Sequence, residues 1–176
     1  MMEDRLKHVI EDYPDYPKPG IVFKDISPIL SDPLLFGEVV QAFVNQIRPL
    51  NIDVMVGIES RGFWFGPSIA NQLNIPFVPI RKKGKLPGDT YVSRYELEYG
   101  SAEIEIQKDR LLAGSRVLIH DDLLATGGTV LAAKELVEKT DSEVVAYAFL
   151  VHLTFLNAET LLKNESNTII SLVNYD

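Results

Sequence analysis

The chain has 176 residues, 46% of them hydrophobic and 24% charged, which suits a single folded domain with a core of its own. It contains no cysteine, so disulfides, thiolate metal sites and a cysteine nucleophile are excluded. A net charge of −8 argues against general nucleic-acid binding, which needs an excess of Lys and Arg facing phosphates. Met1-Met2-Glu3-Asp4 carries no apolar segment and does not read as a secretory signal. The longest apolar run, Val144 to Val151, is far short of a bilayer span, so a cytoplasmic protein without a membrane partner is expected.

In chain order, residues 2–12 read as a short helix with Leu6, Val9 and Ile10 on one side. Pro14, Pro17, Pro19 and Gly20 break the chain before an extended piece, Ile21-Val22-Phe23. Asp32-Pro33 is a helix start, an N-cap followed by proline at the first helical position. Leu35, Val39, Val40, Phe43 and Ile47 carry its apolar stripe. Asp53 to Gly57 reads as a strand, Phe63 to Leu73 as a helix and Pro76 to Ile80 as a strand. A polar excursion, 81–100, follows, longer than compact domains need for a connector. Ala102 to Ile106 alternates like a strand with one wet face, on which Glu103 and Glu105 are expected to be exposed. Val117 to His120 is a strand, Val130 to Lys139 a helix, and Val144 to Val151 and Thr168 to Val173 are further strands. Strands alternating with helices imply an α/β fold, a parallel sheet covered on both faces, in one domain spanning 1–176.

Chemistry concentrates where the strand at Val117 ends, in Asp121-Asp122 followed by Ala125-Thr126-Gly127-Gly128-Thr129. Ligands of open α/β sheets collect at the carboxyl ends of such strands. The glycines let the backbone approach an anion closely, the threonines add hydroxyls, and the next helix begins with N–H groups that have no intrahelical partner. The two acids cannot face a phosphate without repulsion, so they suit neutral hydroxyls or a cation. A phosphorylated sugar fits both. A second feature is Arg81, Lys82, Lys83 and Lys85, four cations in an acidic protein, either a solvated basic loop or a clamp for a polyanion. Gly57 to Gly62 has the spacing of part of a P-loop, but no Lys-Ser or Lys-Thr follows Gly62, so an ATP-binding Walker motif is rejected. His8, His120 and His152 have no metal-ligand spacing and read as structural, and Trp64 reads as core.

The strand, Asp-Asp and Ala-Thr-Gly-Gly-Thr together resemble the phosphoribosyl-pyrophosphate (PRPP) signature of the type I phosphoribosyltransferases. Gly20 to Pro28, Ser60-Arg61-Gly62-Phe63 with Phe65-Gly66-Pro67, Arg81 to Gly88 and Leu97-Glu98-Tyr99-Gly100 resemble the members of that family that act on adenine. The match runs in one order from about Tyr13 to the C-terminus. It implies a type I phosphoribosyltransferase-like fold, with residues 13–30 contributing to base recognition and 81–100 forming a mobile hood. The implied reaction is adenine plus PRPP giving AMP and pyrophosphate.

The resemblance also assigns roles. Ala125, Thr126, Gly127, Gly128 and Thr129 would hold the 5′-phosphate, and Asp121 and Asp122 the ribose hydroxyls. Arg61, in a turn that often contains a cis peptide, here Glu59–Ser60, would bind pyrophosphate together with Arg81, Lys82 and Lys85. Arg61, Lys85 and Glu98 form the catalytic set, with Glu98, beside Tyr99, assisting proton loss from adenine N9; Glu96, Glu103 and Glu105 are its competitors, and the resemblance, not spacing, selects Glu98. Phe23 would stack on the purine while the main chains of Val22 and Lys24 read its edge. Phe23 as core and Glu98 as an exposed loop acid remain the bland readings. Mg²⁺ would bind with PRPP, held by pyrophosphate, ribose hydroxyls and waters, with no direct side-chain ligand, and a homodimer is implied. The competing reading is a regulator that keeps the fold and uses PRPP as a signal; it lacks spare length and basic charge.

Overall fold

The apolar runs at Val54–Ile58 and Glu143–Leu153 become central strands of one sheet, buried on both faces. The computed structural model describes residues 1–96, 101–162 and 167–176. Its elements are α1 (Met2–Val9), β1 (Glu11–Pro14), β2 (Val22–Asp25), α2 (Ser27–Ser31), α3 (Pro33–Ile47), β3 (Val54–Ile58), α4 (Gly66–Leu73), β4 (Phe77–Lys82), β5 (Thr90–Glu96), β6 (Ser101–Gln107), β7 (Arg116–Leu124), α5 (Gly128–Glu138), β8 (Glu143–Leu153), α6 (Glu159–Leu162) and β9 (Thr168–Tyr175). The large sheet has strand order β5-β6-β4-β3-β7-β8-β9. Strands β4, β3, β7, β8 and β9 run parallel, and the hairpin β5–β6 joins β4 antiparallel. The sheet is therefore mixed at one edge rather than parallel throughout.

Alternate residues feed two separate cores. Met55, Leu118, Ala146 and Ala148 face α1 to α4, where Leu6, Ile29, Leu35, Phe43 and Ile69 complete the packing. Val54, Val56, Val117, Ile119, Tyr147 and Phe149 pack with Val130, Ala133, Leu136 and Val137 of α5. The helix α3 starts as its sequence dictates: Asp32 Oδ1 accepts the N–H groups of Leu34 and Leu35 at 3.0 and 3.1 Å. Such a cap contributes about 1 kcal/mol.

Several boundaries differ from the sequence reading. The first helix ends at Val9, and residues 11–14 pair as a strand with β2, Tyr13 opposite Phe23. Arg61–Phe63 is a short 3-10 turn, and α4 begins only at Gly66. The 81–100 excursion is half strand: β4 continues to Lys82 and β5 pairs with β6 along its whole length. The strand at Val117 does not stop at the acids. It runs on through Asp121 and Asp122 to Leu124, held by β8 as far as His152. Glu105 is not on a wet face; it is 4% exposed.

Candidate active site

The site forms where β3, β4 and β7 end and their connections meet. The connection after β3 contains a cis Glu59–Ser60 peptide and is pressed against β7. A Cβ on Gly62 would lie 2.6 Å from the His120 carbonyl oxygen, so only glycine allows this approach. The result places Arg61 Nε 2.9 Å from Asp122 Oδ2, with the Asp122 side chain 4% exposed. The Arg61 guanidinium also lies 5.1 Å from the centre of the Phe23 ring. One cation thus links the aromatic ring of β2 to the second acid of β7.

Both acids are perturbed. Burial and the neighbouring Asp122 push the Asp121 carboxyl well above the usual carboxylate range. Burial also raises Asp122, but Arg61 opposes the rise. Asp121 is therefore the member of the pair that holds a proton longer. Its Oδ1 accepts the Asp122 N–H at 2.9 Å.

Beyond Leu124 the chain turns into α5 through Gly127, whose φ is +85°. A Cβ there would lie 3.3 Å from the Ala158 Cβ, so both conformation and space favour glycine. No side chain caps α5. Its first-turn N–H groups are therefore open donors beside a positive helix end. That is an anion seat made of backbone.

The basic segment is organised by two carboxylates. Arg81 grips Glu59 with Nε and Nη2 at 3.2 and 3.0 Å and donates from Nη1 to the Lys85 carbonyl at 3.2 Å. This pair holds the Glu59 carboxyl below its usual range. Glu59 also accepts the Lys82 N–H at 2.9 Å. Lys83 turns away to Glu103. Among the described residues, no carboxylate pairs with the ammonium groups of Lys82 or Lys85.

A phosphoribosyl transferase domain model matches residues 30–172. The adenine phosphoribosyltransferase of Cytophaga hutchinsonii is 50% identical over 175 residues, 99% of this chain and 97% of that protein. The chain belongs to the adenine phosphoribosyltransferases. Structures of this family overlay closely. That of Saccharomyces cerevisiae adenine phosphoribosyltransferase with an imino-altritol bisphosphate and adenine gives a TM-score of 0.92 at 42% identity, covering 97% of this chain and 98% of that one. The Trypanosoma brucei adenine phosphoribosyltransferase with AMP, pyrophosphate and ribose-5-phosphate gives 0.90 at 29% identity, covering 98% and 79%.

For an adenine phosphoribosyltransferase, the placement of the expected residues is informative. Phe23, Arg61, Asp121 and Asp122 come together, and the 125–129 loop follows on the same strand. Lys24 turns its side chain away, to Asp12 at 2.7 Å and over the Tyr175 ring at 3.8 Å, leaving its main chain as the part available to a base. The strand partner of β2 lies on one side only. Glu98 and Tyr99 lie outside the described residues. Trp64 packs partly buried against the helical core. His120 is fully buried, donates from Nδ1 to the Ala148 carbonyl at 2.9 Å, and is driven down to about 4 by burial. Glu59 had no role in the sequence reading, and Glu105, a competitor there to Glu98 and expected to be exposed, is buried. An acid directly before Ser60-Arg61 in an anion-binding turn was the available signal for Glu59.

Proposed function

We infer that this chain transfers the 5-phosphoribosyl group from PRPP to adenine, forming AMP and pyrophosphate for purine salvage. The observation that carries the residue assignment is the convergence of an uncapped α5 start, the Asp121–Asp122 pair, Arg61 over Phe23, and two exposed lysines, Lys82 and Lys85, that pair with no carboxylate among the described residues. The reaction breaks the ribose C1–pyrophosphate bond as adenine N9 attacks, with positive charge on the ring and negative charge on the leaving group. Preorganised donors at the developing charges are the main catalytic resource for such a step.

In this reading the N–H groups of residues 125–129 and the Thr126 and Thr129 hydroxyls hold the 5′-phosphate. Asp121 and Asp122 accept from the ribose hydroxyls. Arg61, Lys82 and Lys85 meet the pyrophosphate, and Arg81, with three N–H groups already engaged, chiefly fastens the turn at Glu59 to the basic segment. Phe23 stacks on the purine. The main chains of Val22 and Lys24 read its edge, where a carbonyl accepts from the 6-amino group and repels a 6-oxo group. Glu98 takes up the N9 proton. Adenine in the yeast structure, and AMP and pyrophosphate in the trypanosome structure, support the choice of substrates and products.

Mg²⁺ fits as part of the PRPP complex. The site offers two carboxyls, one already paired with Arg61, and no group of three potential ligands exists among the described residues. Bound with PRPP, the ion supplies neutralising charge to the leaving pyrophosphate. We also propose a homodimer. Leu34 is 77% exposed, and a cleft between α3 and α4 is lined by Phe36, Val40 and Pro67; ultracentrifugation returning a monomer would remove this. No described helix is long and apolar enough to cross a membrane.

The deciding experiment mixes the protein with Mg-PRPP and each purine base. AMP from adenine, with little product from hypoxanthine or guanine, is expected; no AMP, or indifference to the base, overturns the reading. Glu98→Gln is expected to lower kcat by roughly 10²–10⁴-fold at similar PRPP affinity; an unchanged kcat removes Glu98 from the reaction.

A further inference from the structure

Lysines can grip pyrophosphate well only if the segment carrying them already has its binding shape, because ordering a charged loop at the moment of binding weakens affinity. The shape of the 83–90 crossing is imposed by Glu105 of β6. Its Oε1 accepts the N–H groups of both Lys85 and Leu86 at 2.9 Å. Its Oε2 accepts the Thr90 hydroxyl at 3.1 Å. Three donors from the middle and far end of the crossing thus converge on one carboxylate that is 4% exposed. The Lys85 N–H is shared with the Lys82 carbonyl at 3.2 Å, which closes a turn with Gly84 in the left-handed region. Gln107, two residues along β6, donates to the Pro87 carbonyl at 2.9 Å.

Glu105 binds backbone and hydroxyl, not ammonium. A carboxylate at the surface of this segment would pair with a lysine, as Glu103 does with Lys83. A buried one satisfied by N–H groups orders the chain and leaves the lysine charges for a ligand. The order is passed on: the Lys85 carbonyl accepts from Arg81, Arg81 grips Glu59, and Glu59 precedes the Ser60–Arg61 turn.

We propose that Glu105 is a positioning residue for the pyrophosphate end of PRPP, fixing the Lys82–Lys85 turn beside the Arg61 turn before substrate arrives. The proposal rests on the reading that Lys85 meets pyrophosphate. Glu105→Gln keeps size but brings an amide into a cage of donors. It is expected to raise the KM for PRPP and the inhibition constant of pyrophosphate about ten-fold, with AMP affinity held within about two-fold. Glu105→Asp recovers part of the loss. Thr90→Val, which removes one donor and keeps the shape, gives a smaller loss of the same pattern and carries the test if Glu105→Gln fails to fold. Unchanged pyrophosphate affinity in the folded variants, or equal weakening of AMP, overturns the proposal. Lys85→Ala separates the two claims. If it leaves PRPP affinity intact, the pyrophosphate reading falls; if it weakens PRPP while Glu105→Gln does not, the positioning role alone falls.

Discussion

The loop at 125–129 and the segment at 81–90 are both suited to phosphates, yet they are built in opposite ways. The loop sits at the end of a strand buried on both faces, and its donors are neutral N–H groups at a helix start. The segment sits at the antiparallel edge of the sheet, and its donors are full charges on exposed side chains held by two acids beneath. Burial explains the difference. An unpaired cation inside the sheet would lose hydration with nothing to replace it, whereas backbone dipoles are already fixed there by the fold. At the edge, cations stay hydrated until a ligand comes, but they need a scaffold.

The contrast can be broken most sharply at Gly127. Gly127→Ala forces a Cβ onto a φ of +85° and against Ala158, and should weaken PRPP and AMP alike by about 100-fold or more. AMP binding left intact would move the 5′-phosphate elsewhere. Lys85→Ala comes next: PRPP should weaken by about ten-fold and AMP hardly at all, since AMP has no pyrophosphate. Equal losses in titrations of the two ligands would erase the distinction between the seats.

Ser93→Ala is expected to have a smaller effect. The buried Ser93 hydroxyl donates to Glu135 Oε2 at 2.6 Å, and Lys139 Nζ reaches the Val92 carbonyl at 2.8 Å, tying β5 to α5. Losing the first should lower stability by about 1 kcal/mol in denaturant unfolding; no change would show that the Ser93–Glu135 bond does not help to join the hairpin to α5.

The last expected effect is a pH slope. Asp121 and Asp122 are raised in the folded protein, so the folded state binds more protons than the unfolded one above the ordinary carboxylate range. Stability contributed by this pair is therefore present at acid pH and falls as pH rises through their raised values. His120 has the opposite sign. Buried neutral and lowered to about 4 from 6.5, it contributes up to about 3 kcal/mol above pH 6.5, lost as pH falls toward 4. That slope is common to both proteins in a comparison with Asp121→Asn and cancels. Asp121→Asn should melt a few degrees higher than the unsubstituted protein at neutral pH, with the gap closing in acid; a lower neutral Tm would show that Asp121 is not held against its ionisation.

What was legible in the sequence tracks what is buried on a regular face. Asp32-Pro33 and the stripe from Leu35 to Ile47 specify α3 locally, and the structure returns it with its cap. The β3 and β8 runs are apolar because both faces are covered. Residues 11–14 are all exposed, so β1 has no apolar period; it exists through pairing with β2. Asp121 and Asp122 look like a strand end because charge rarely continues a buried strand, yet β8 carries the ladder past them. Glu105 alternates with Glu103 as an exposed pair would, and only the donors of the distant 85–90 segment reveal it as buried. The cis Glu59–Ser60 peptide came from resemblance alone, and the cis Tyr16–Pro17 bond was not foreseen. The loop 125–129 could be read because its chemistry is local; the basic segment could not be fully read because its shape is supplied from β6.

Lys82 and Lys85, exposed and in no ion pair among the described residues, have a consequence for how fast a substrate is found. The protein carries a net charge of −8, so a highly anionic molecule diffusing toward most of its surface is turned back. The two exposed ammonium groups open an attractive approach through that field. Such focusing raises collision efficiency by about 10–10³-fold at low ionic strength, so the β4–β5 crossing that supplies the grip also selects the trajectory by which PRPP arrives.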